Sequence, residues 1–226
     1  MQWWQGKYLL WASALILLCC WNGCTSSPTF EQLAQQYTQA YKQQFATDQT
    51  AALTIFSPQK IKADLAFCDH YLTRFSTVQD GDFPFDQRQS LYQLSSQLQD
   101  KRQRVASYLS FPDRYDIRRP IERTLATTDK TLEEKLSIIE YQMGLSQRYY
   151  DAAKTNLKSV QPAAARNAVR LHQKTYKLLD RQLPELVALS TWDEQQQRQF
   201  LRYAERAKMA VKDYIGYCRS LSRLPT

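Results

Sequence analysis

Between Thr29 and Leu221 the apolar residues of this chain return at every third or fourth position, with no sustained one-by-one alternation. That spacing gathers them on one face of an α-helix, which turns once per 3.6 residues, and it does not suit the two-residue repeat of a strand. Ile61, Leu65, Cys68, Leu72 and Phe75 step by 4, 3, 4 and 3, and Phe200, Ala204, Ala207, Val211, Ile215, Cys218 and Leu221 follow the same rule. Only 5 Gly and 8 Pro interrupt 226 residues, too few for many short strands joined by tight turns. An apolar share of 43% is enough to fill a core. The expected fold is all-α, an irregular multi-helix bundle of about six to eight helices with essentially no sheet. No internal repeat of fixed period points to a solenoid.

Start and stop signals divide this pattern. Thr29-Phe-Glu-Gln32 reads as a capping box, in which hydroxyl and amide satisfy free N–H groups at a helix start. Ser57-Pro58 is a second start, Ser as cap and Pro in the first turn. A third helix is expected over 86–109, closed by Phe111-Pro112-Asp113, and a short one over 117–125. Asp129 or Thr131 opens the next, which bends or breaks at Gly144. Pro162 opens another, which Pro184 should kink or end. Thr191-Trp-Asp-Glu194 reads as a capping box for the last helix.

The first residues read as a targeting segment and not as fold. Lys7 precedes 14 uncharged residues, Tyr8 to Trp21. As a helix they reach roughly 21 Å at about 1.5 Å per residue, short of the ~30 Å core of a bilayer. Gly23 and Cys24 follow, then Thr25-Ser26-Ser27-Pro28. This resembles a bacterial lipoprotein signal, cut before a cysteine that then carries lipid, although Trp21 stands where such signals usually have Leu. An uncleaved anchor and simple secretion are the other readings. The expected organisation is a signal peptide over 1–23, a lipidated Cys24 with a short tether over 24–28, and a single helical domain over 29–226. Stable anchoring takes two or more acyl chains. By analogy, Thr25 in place of Asp after the cysteine points to the outer membrane, facing the periplasm.

Charge is uneven. Residues 24–100 hold 5 Lys/Arg and 8 Asp/Glu, net −3, whereas 101–226 hold 24 and 14, net +10. A basic second half suits an anionic neighbour: lipid headgroups or an acidic envelope protein. Nucleic acid is not expected for an exported chain. Arg198, Arg202 and Arg206 recur every four residues and form one stripe on the last helix, a candidate contact for an anionic surface. The plainer reading is a solvated helix face. Cys68 and Cys218 sit on apolar helix faces; they could pair in an oxidising compartment or serve as two separate core residues.

No motif names a reaction. His70 and His172 lie far apart and neither belongs to a His-Glu-x-x-His pair, so no metal site and no cofactor is expected. There is no Gly-x-Ser-x-Gly elbow and no phosphate-cradling glycine loop. Glu133-Glu134 and Asp193-Glu194 are adjacent in sequence, point about 100° apart on a helix, and suit first-turn acids near helix N-termini. The expectation is a non-catalytic binding or scaffold module held in the cell envelope by its lipid.

One family resemblance spans 30–225. Phe111-Pro-Asp-Arg-Tyr115, Tyr149-Tyr-Asp-Ala-Ala-Lys-Thr-Asn-Leu157 followed by Pro162, Leu183-Pro184, and Tyr214-Ile-Gly-Tyr-Cys-Arg-Ser-Leu221 stand in an order that resembles the helical N-terminal half of an uncharacterised bacterial lipoprotein family. Full-length members of that family carry a second half with a His-Glu-x-x-Pro-Gly-His signature suggestive of a zinc peptidase. Gln147 stands where that family has proline, and the present sequence stops where the metal-binding half would begin. The resemblance therefore transfers no catalytic residue. It implies an alternative role, as component of an envelope hydrolase whose catalytic half is on another chain.

Overall fold

The structure is a computed structural model and describes residues 29–46, 53–79 and 84–223. The chain divides into two compact units, 1–40 and 41–226. Of the first unit the described part is Thr29–Ala40. There helix α1 (Phe30–Gln44) starts on the expected capping box: Gln32 N donates to Thr29 Oγ1 at 3.4 Å, and Thr29 N to Gln32 Oε1 at 3.2 Å. Leu33 and Tyr37, one turn apart, are buried. Cys24, with the whole signal and tether, lies outside the described residues.

The second unit is all-α, and among its described residues there is no strand. Helices α2 (Pro58–Gln79) and α3 (Phe85–Ser107) pack along one another. Ser57 caps α2 through its Oγ, which accepts from Lys60 N at 3.1 Å. The pair buries Ile61, Cys68 and Phe75 from α2 and Leu91, Leu98 and Val105 from α3. Leu65 and Leu72, expected inward, are only half-buried.

After a 3-10 turn at Pro112–Arg114 come α4 (Arg118–Ala126), α5 (Leu132–Gly144), α6 (Ser146–Asn156), α7 (Pro162–Lys177), α8 (Leu183–Ala188) and α9 (Glu194–Leu221). α9 is the central rod: it packs on α5, α6, α7 and α8. Its inward face mixes large and small side chains, Phe200, Val211 and Tyr214 with Ala204, Ala207 and Ala210, and the small ones allow neighbouring helices to approach closely. Leu136, Ile139, Met143, Tyr150, Leu179 and Leu183 complete this core.

Two punctuation signals behave differently from their sequence reading. Pro184 does not end its helix. Residues Leu178–Gln182 form a π-helical turn before it, and Pro184 stands in the first turn of α8. In an α-helix the proline ring meets the carbonyl four residues back, and the wider turn relieves that clash. Taking α7, the π turn and α8 as one interrupted rod, the described residues hold eight helices. The cap of α9 is Asp193 and not Thr191. Asp193 Oδ1 accepts from Gln196 N at 2.8 Å, and Asp193 N donates to Gln196 Oε1 at 3.1 Å. Thr191 instead donates its N–H and its hydroxyl to Glu133 Oε1, each at 2.9 Å. Those two bonds, the main-chain one foremost, hold the Glu133 carboxyl below the usual carboxylate range.

Cys68 and Cys218 are separate buried thiols. Cys218 belongs to the core around α9, whereas Cys68 packs in the α2–α3 layer, outside that cluster. Two apolar clusters each took one cysteine, so of the two readings open from sequence the structure holds the unpaired one. Burial pushes both thiols up, Cys68 to about 11 and Cys218 to about 12, so neither is a reactive thiolate at neutral pH.

A candidate anion-binding cleft

The carbonyl of Pro112 is the pin of the second unit. Tyr214 Oη donates to it at 3.0 Å, and His172 Nε2 lies 3.5 Å away. His172 is wholly buried, edge-on to Tyr214 and Tyr150 with centroids at 4.9 and 5.7 Å. Desolvation lowers its pKa, so the imidazole is neutral at neutral pH. Its role is packing, and it has no metal partner: among the described residues no group of three or more His, Cys, Asp or Glu could hold a metal ion.

That pin fixes the turn that carries Arg114. The next residues are fixed in turn by Tyr115, whose hydroxyl donates to Tyr108 O at 2.9 Å and accepts from Asn156 Nδ2 at 3.0 Å. Asn156 also bonds the carbonyl of Phe56, tying the extended segment 53–57 to α6. Phe56 stacks on Tyr108 with centroids 4.0 Å apart.

These elements enclose a cleft of about 430 Å³, within the size range of small-molecule sites. Phe56, Tyr108 and Tyr149 form much of its floor. Its walls carry Lys101 and Arg104 from the end of α3, Arg114 from the 3-10 turn, and Arg119 and Arg123 from α4. Lys101 is half-buried, with its ammonium 4.0 Å from the centre of the Phe45 ring. Arg104, Arg114, Arg119 and Arg123 are exposed, and among the described residues none has a carboxylate within ion-pair distance. Elsewhere basic side chains find acids: Arg102 meets Asp69 at 2.5 Å, and Lys208 meets Glu205 and Asp180 at 2.6 and 3.0 Å.

One carboxylate lines the cleft, and it is already committed. Asp116 is buried; its Oδ1 accepts from Thr175 Oγ1 at 2.7 Å and from Arg118 N at 3.0 Å, and its Oδ2 faces Arg118 Nε at 3.4 Å. The cleft thus presents a cluster of cations beside aromatic rings, and the acid that lines it among the described residues, Asp116, is ion-paired with Arg118.

The sequence-selected stripe is elsewhere. Arg198, Arg202 and Arg206 are all exposed on α9; Arg198 pairs with Glu194 at 2.8 Å, and Arg206 lies over Tyr203 at 5.9 Å. None of the three lines the cleft. Helical spacing does not reveal the cleft arginines, because they come from three elements and share no single helix face. A usable signal was present: residues 101–123 hold seven Lys/Arg against three Asp/Glu. Which of them converge depends on the turn at Pro112, which periodicity does not encode.

No family model and no curated protein matches the chain. In fold it is similar to the solved structure of a candidate lipoprotein of unknown function from Shewanella oneidensis, at a TM-score of 0.66 and 16% identity. The match covers 86% of this chain and 38% of that one, so this chain spans well under half of that neighbour's length. At such identity the likeness is one of fold.

Proposed function

We propose that this protein is a lipid-anchored, non-catalytic binding module of the cell envelope, most simply at the outer membrane facing the periplasm, whose ligand is anionic. The observation that carries the binding role is the cleft, with four guanidiniums on three backbone elements and no acid among the described residues to neutralise them. Support for the anchor comes from Gly23-Cys24 behind an uncharged stretch too short to span a bilayer, and from the fold neighbour's description as a candidate lipoprotein. Among the described residues no helix is long and apolar enough to cross a membrane. We assign no chemical step to the cleft, since Asp116 is engaged by Arg118 and Thr175.

The binding role is tested by retention of the full chain, in neutral detergent, on a sulfated polysaccharide column. An Arg119→Gln, Arg123→Gln variant and an Arg198→Gln, Arg202→Gln variant lose the same charge. The cleft variant is expected to elute at clearly lower salt than the stripe variant, because convergent charges act on one ligand group while scattered surface charges are screened. Equal elution of the two variants removes the cleft from the proposal. The anchor is tested separately: Cys24→Ser should abolish metabolic labelling with palmitate and leave unprocessed precursor. Normal processing and membrane fractionation of that variant would rule out the lipoprotein reading.

A second reading, carried by the family resemblance alone, is that this chain is a component of an envelope hydrolase whose catalytic half is on another chain. Co-purification of a His-Glu-x-x-His protein from crosslinked envelopes is the result that would bring it forward.

A further inference from the structure

We infer that the anion taken by the cleft is a phosphate group with at least two charged oxygens, borne on a compact body that rests on the aromatic floor. The inference rests on the anion-binding reading above and sharpens it. The first argument is charge. Arg104, Arg114, Arg119 and Arg123 bring four cations to one cleft in which Asp116, the acid that lines it among the described residues, is already paired with Arg118. A lone carboxylate leaves most of that charge unanswered, whereas a phosphomonoester brings about −1.5 to −2 and three strong acceptor oxygens on a single atom.

The second argument is direction. The cations come from the end of α3, from the Pro112–Arg114 turn and from the first two turns of α4. Donors arriving from three elements suit a tetrahedral acceptor better than a planar one, and guanidinium forks match phosphate oxygens in pairs. The cleft also lies at the amino end of α4, through Arg119 and Pro120, where the helix dipole favours negative charge.

The third argument is the remainder of the space. About 430 Å³ is more than a bare phosphate fills. Phe56 and Tyr108 are stacked on each other, and Tyr149 is nearly buried, so the floor is a fixed, partly apolar surface for the ligand's body. Such a ligand could be a soluble phosphorylated sugar or the phosphate headgroup of an envelope lipid; the chemistry at the cleft is the same.

The test is calorimetric titration of the full chain in neutral detergent with glucose 6-phosphate, dihexanoylphosphatidic acid and glucuronate. Both phosphates are expected to bind, and glucuronate at least about tenfold more weakly. Arg119→Gln, Arg123→Gln should weaken phosphate binding about ten- to a hundredfold, as charge-assisted hydrogen bonds are lost. Both residues are exposed, so the variant should keep the helical circular dichroism of the parent. Arg202→Gln should leave affinity unchanged. A tenfold preference between the two phosphates identifies lipid or sugar as the source, and equal affinity means that the phosphate alone is recognised. Glucuronate binding as tightly as glucose 6-phosphate overturns the phosphate assignment but leaves an anion-binding cleft. Absence of binding by all three overturns both.

Discussion

Replacing Arg118 with Ala is expected to lower the stability of the second unit by about 3–5 kcal/mol, although the residue sits in the first turn of a short helix on the molecule's surface side. The cause is its partner. The Asp116 side chain is 0% exposed, and the Arg118 guanidinium is the cation beside its Oδ2. Thr175 and the Arg118 main-chain N–H satisfy Oδ1 and survive the substitution, but hydrogen bonds to one oxygen do not balance a full charge removed from water. Arg118 also reaches Glu122 at 2.8 Å, an exposed pair whose loss contributes little. The adjacent Arg119→Ala removes an exposed cation with no acid partner among the described residues and should change stability by no more than about 0.5 kcal/mol. The measurement is urea unfolding of the full chain in neutral detergent, followed by circular dichroism. Adding Asp116→Asn to Arg118→Ala should return part of the loss, because a neutral amide needs no counter-ion; a coupling of about 0.5–3 kcal/mol is expected. Equal stability of the Arg118 and Arg119 variants would show that Asp116 does not depend on its ion pair. The substitution also bears on the cleft. An unbalanced carboxylate at its wall would oppose an incoming anion, so Arg118→Ala should weaken binding without touching a wall cation.

The residues that were legible in sequence are those whose neighbours lie one helical turn away. Thr29 with Gln32 and Ser57 with Lys60 are contacts within one turn, and both form; of Asp129 and Thr131, between which the sequence left the start of α5 open, Thr131 is the cap, bonded to Glu134 N. The inward face of α9 was also readable, since Phe200, Ala204, Ala207 and Val211 follow from 3.6-residue geometry. Contacts between distant segments were not. Thr191 passes over its own helix start to bond Glu133, 58 residues away, and this leaves Asp193 to cap α9. The π turn before Pro184 was hidden for a different reason: a proline signals a missing N–H and a clash, not which backbone adjustment relieves them. The cleft depends on both kinds of long-range fact. Its cations are ordinary surface arginines by sequence, and the Tyr214 and His172 contacts at the Pro112 carbonyl, between distant segments, hold the turn that brings Arg114 to the same cleft as α3 and α4.

Leu98→Ala should cost about 2–5 kcal/mol and should loosen one layer of the second unit before the other. Leu98 is 0% exposed on α3, and it lies outside the cluster around α9. The truncation removes apolar contacts and leaves a cavity between α2 and α3, where Ile61, Cys68, Tyr71, Phe75, Leu91 and Val105 are the other buried apolar side chains of the two helices. Leu65→Ala is the internal comparison: Leu65 shares the periodicity of the buried set but is half-exposed, so its loss should be smaller. In urea the midpoint should fall for Leu98→Ala with little change in slope if the unit still unfolds as a whole. The two buried thiols distinguish local from global opening. Cys68 reports on the α2–α3 layer and Cys218 on the α9 core, and each must be exposed before it can react. With a thiol reagent under native conditions, followed by peptide mass spectrometry, Leu98→Ala should accelerate labelling of Cys68 well beyond that of Cys218. Ile139→Ala, in the α9 core, should act on Cys218 at least as strongly as on Cys68. Equal acceleration of both thiols by both variants would mean that the two layers open together. In that case the α3 wall of the cleft, which carries Lys101 and Arg104 within two turns of Leu98, is as rigid as the core itself.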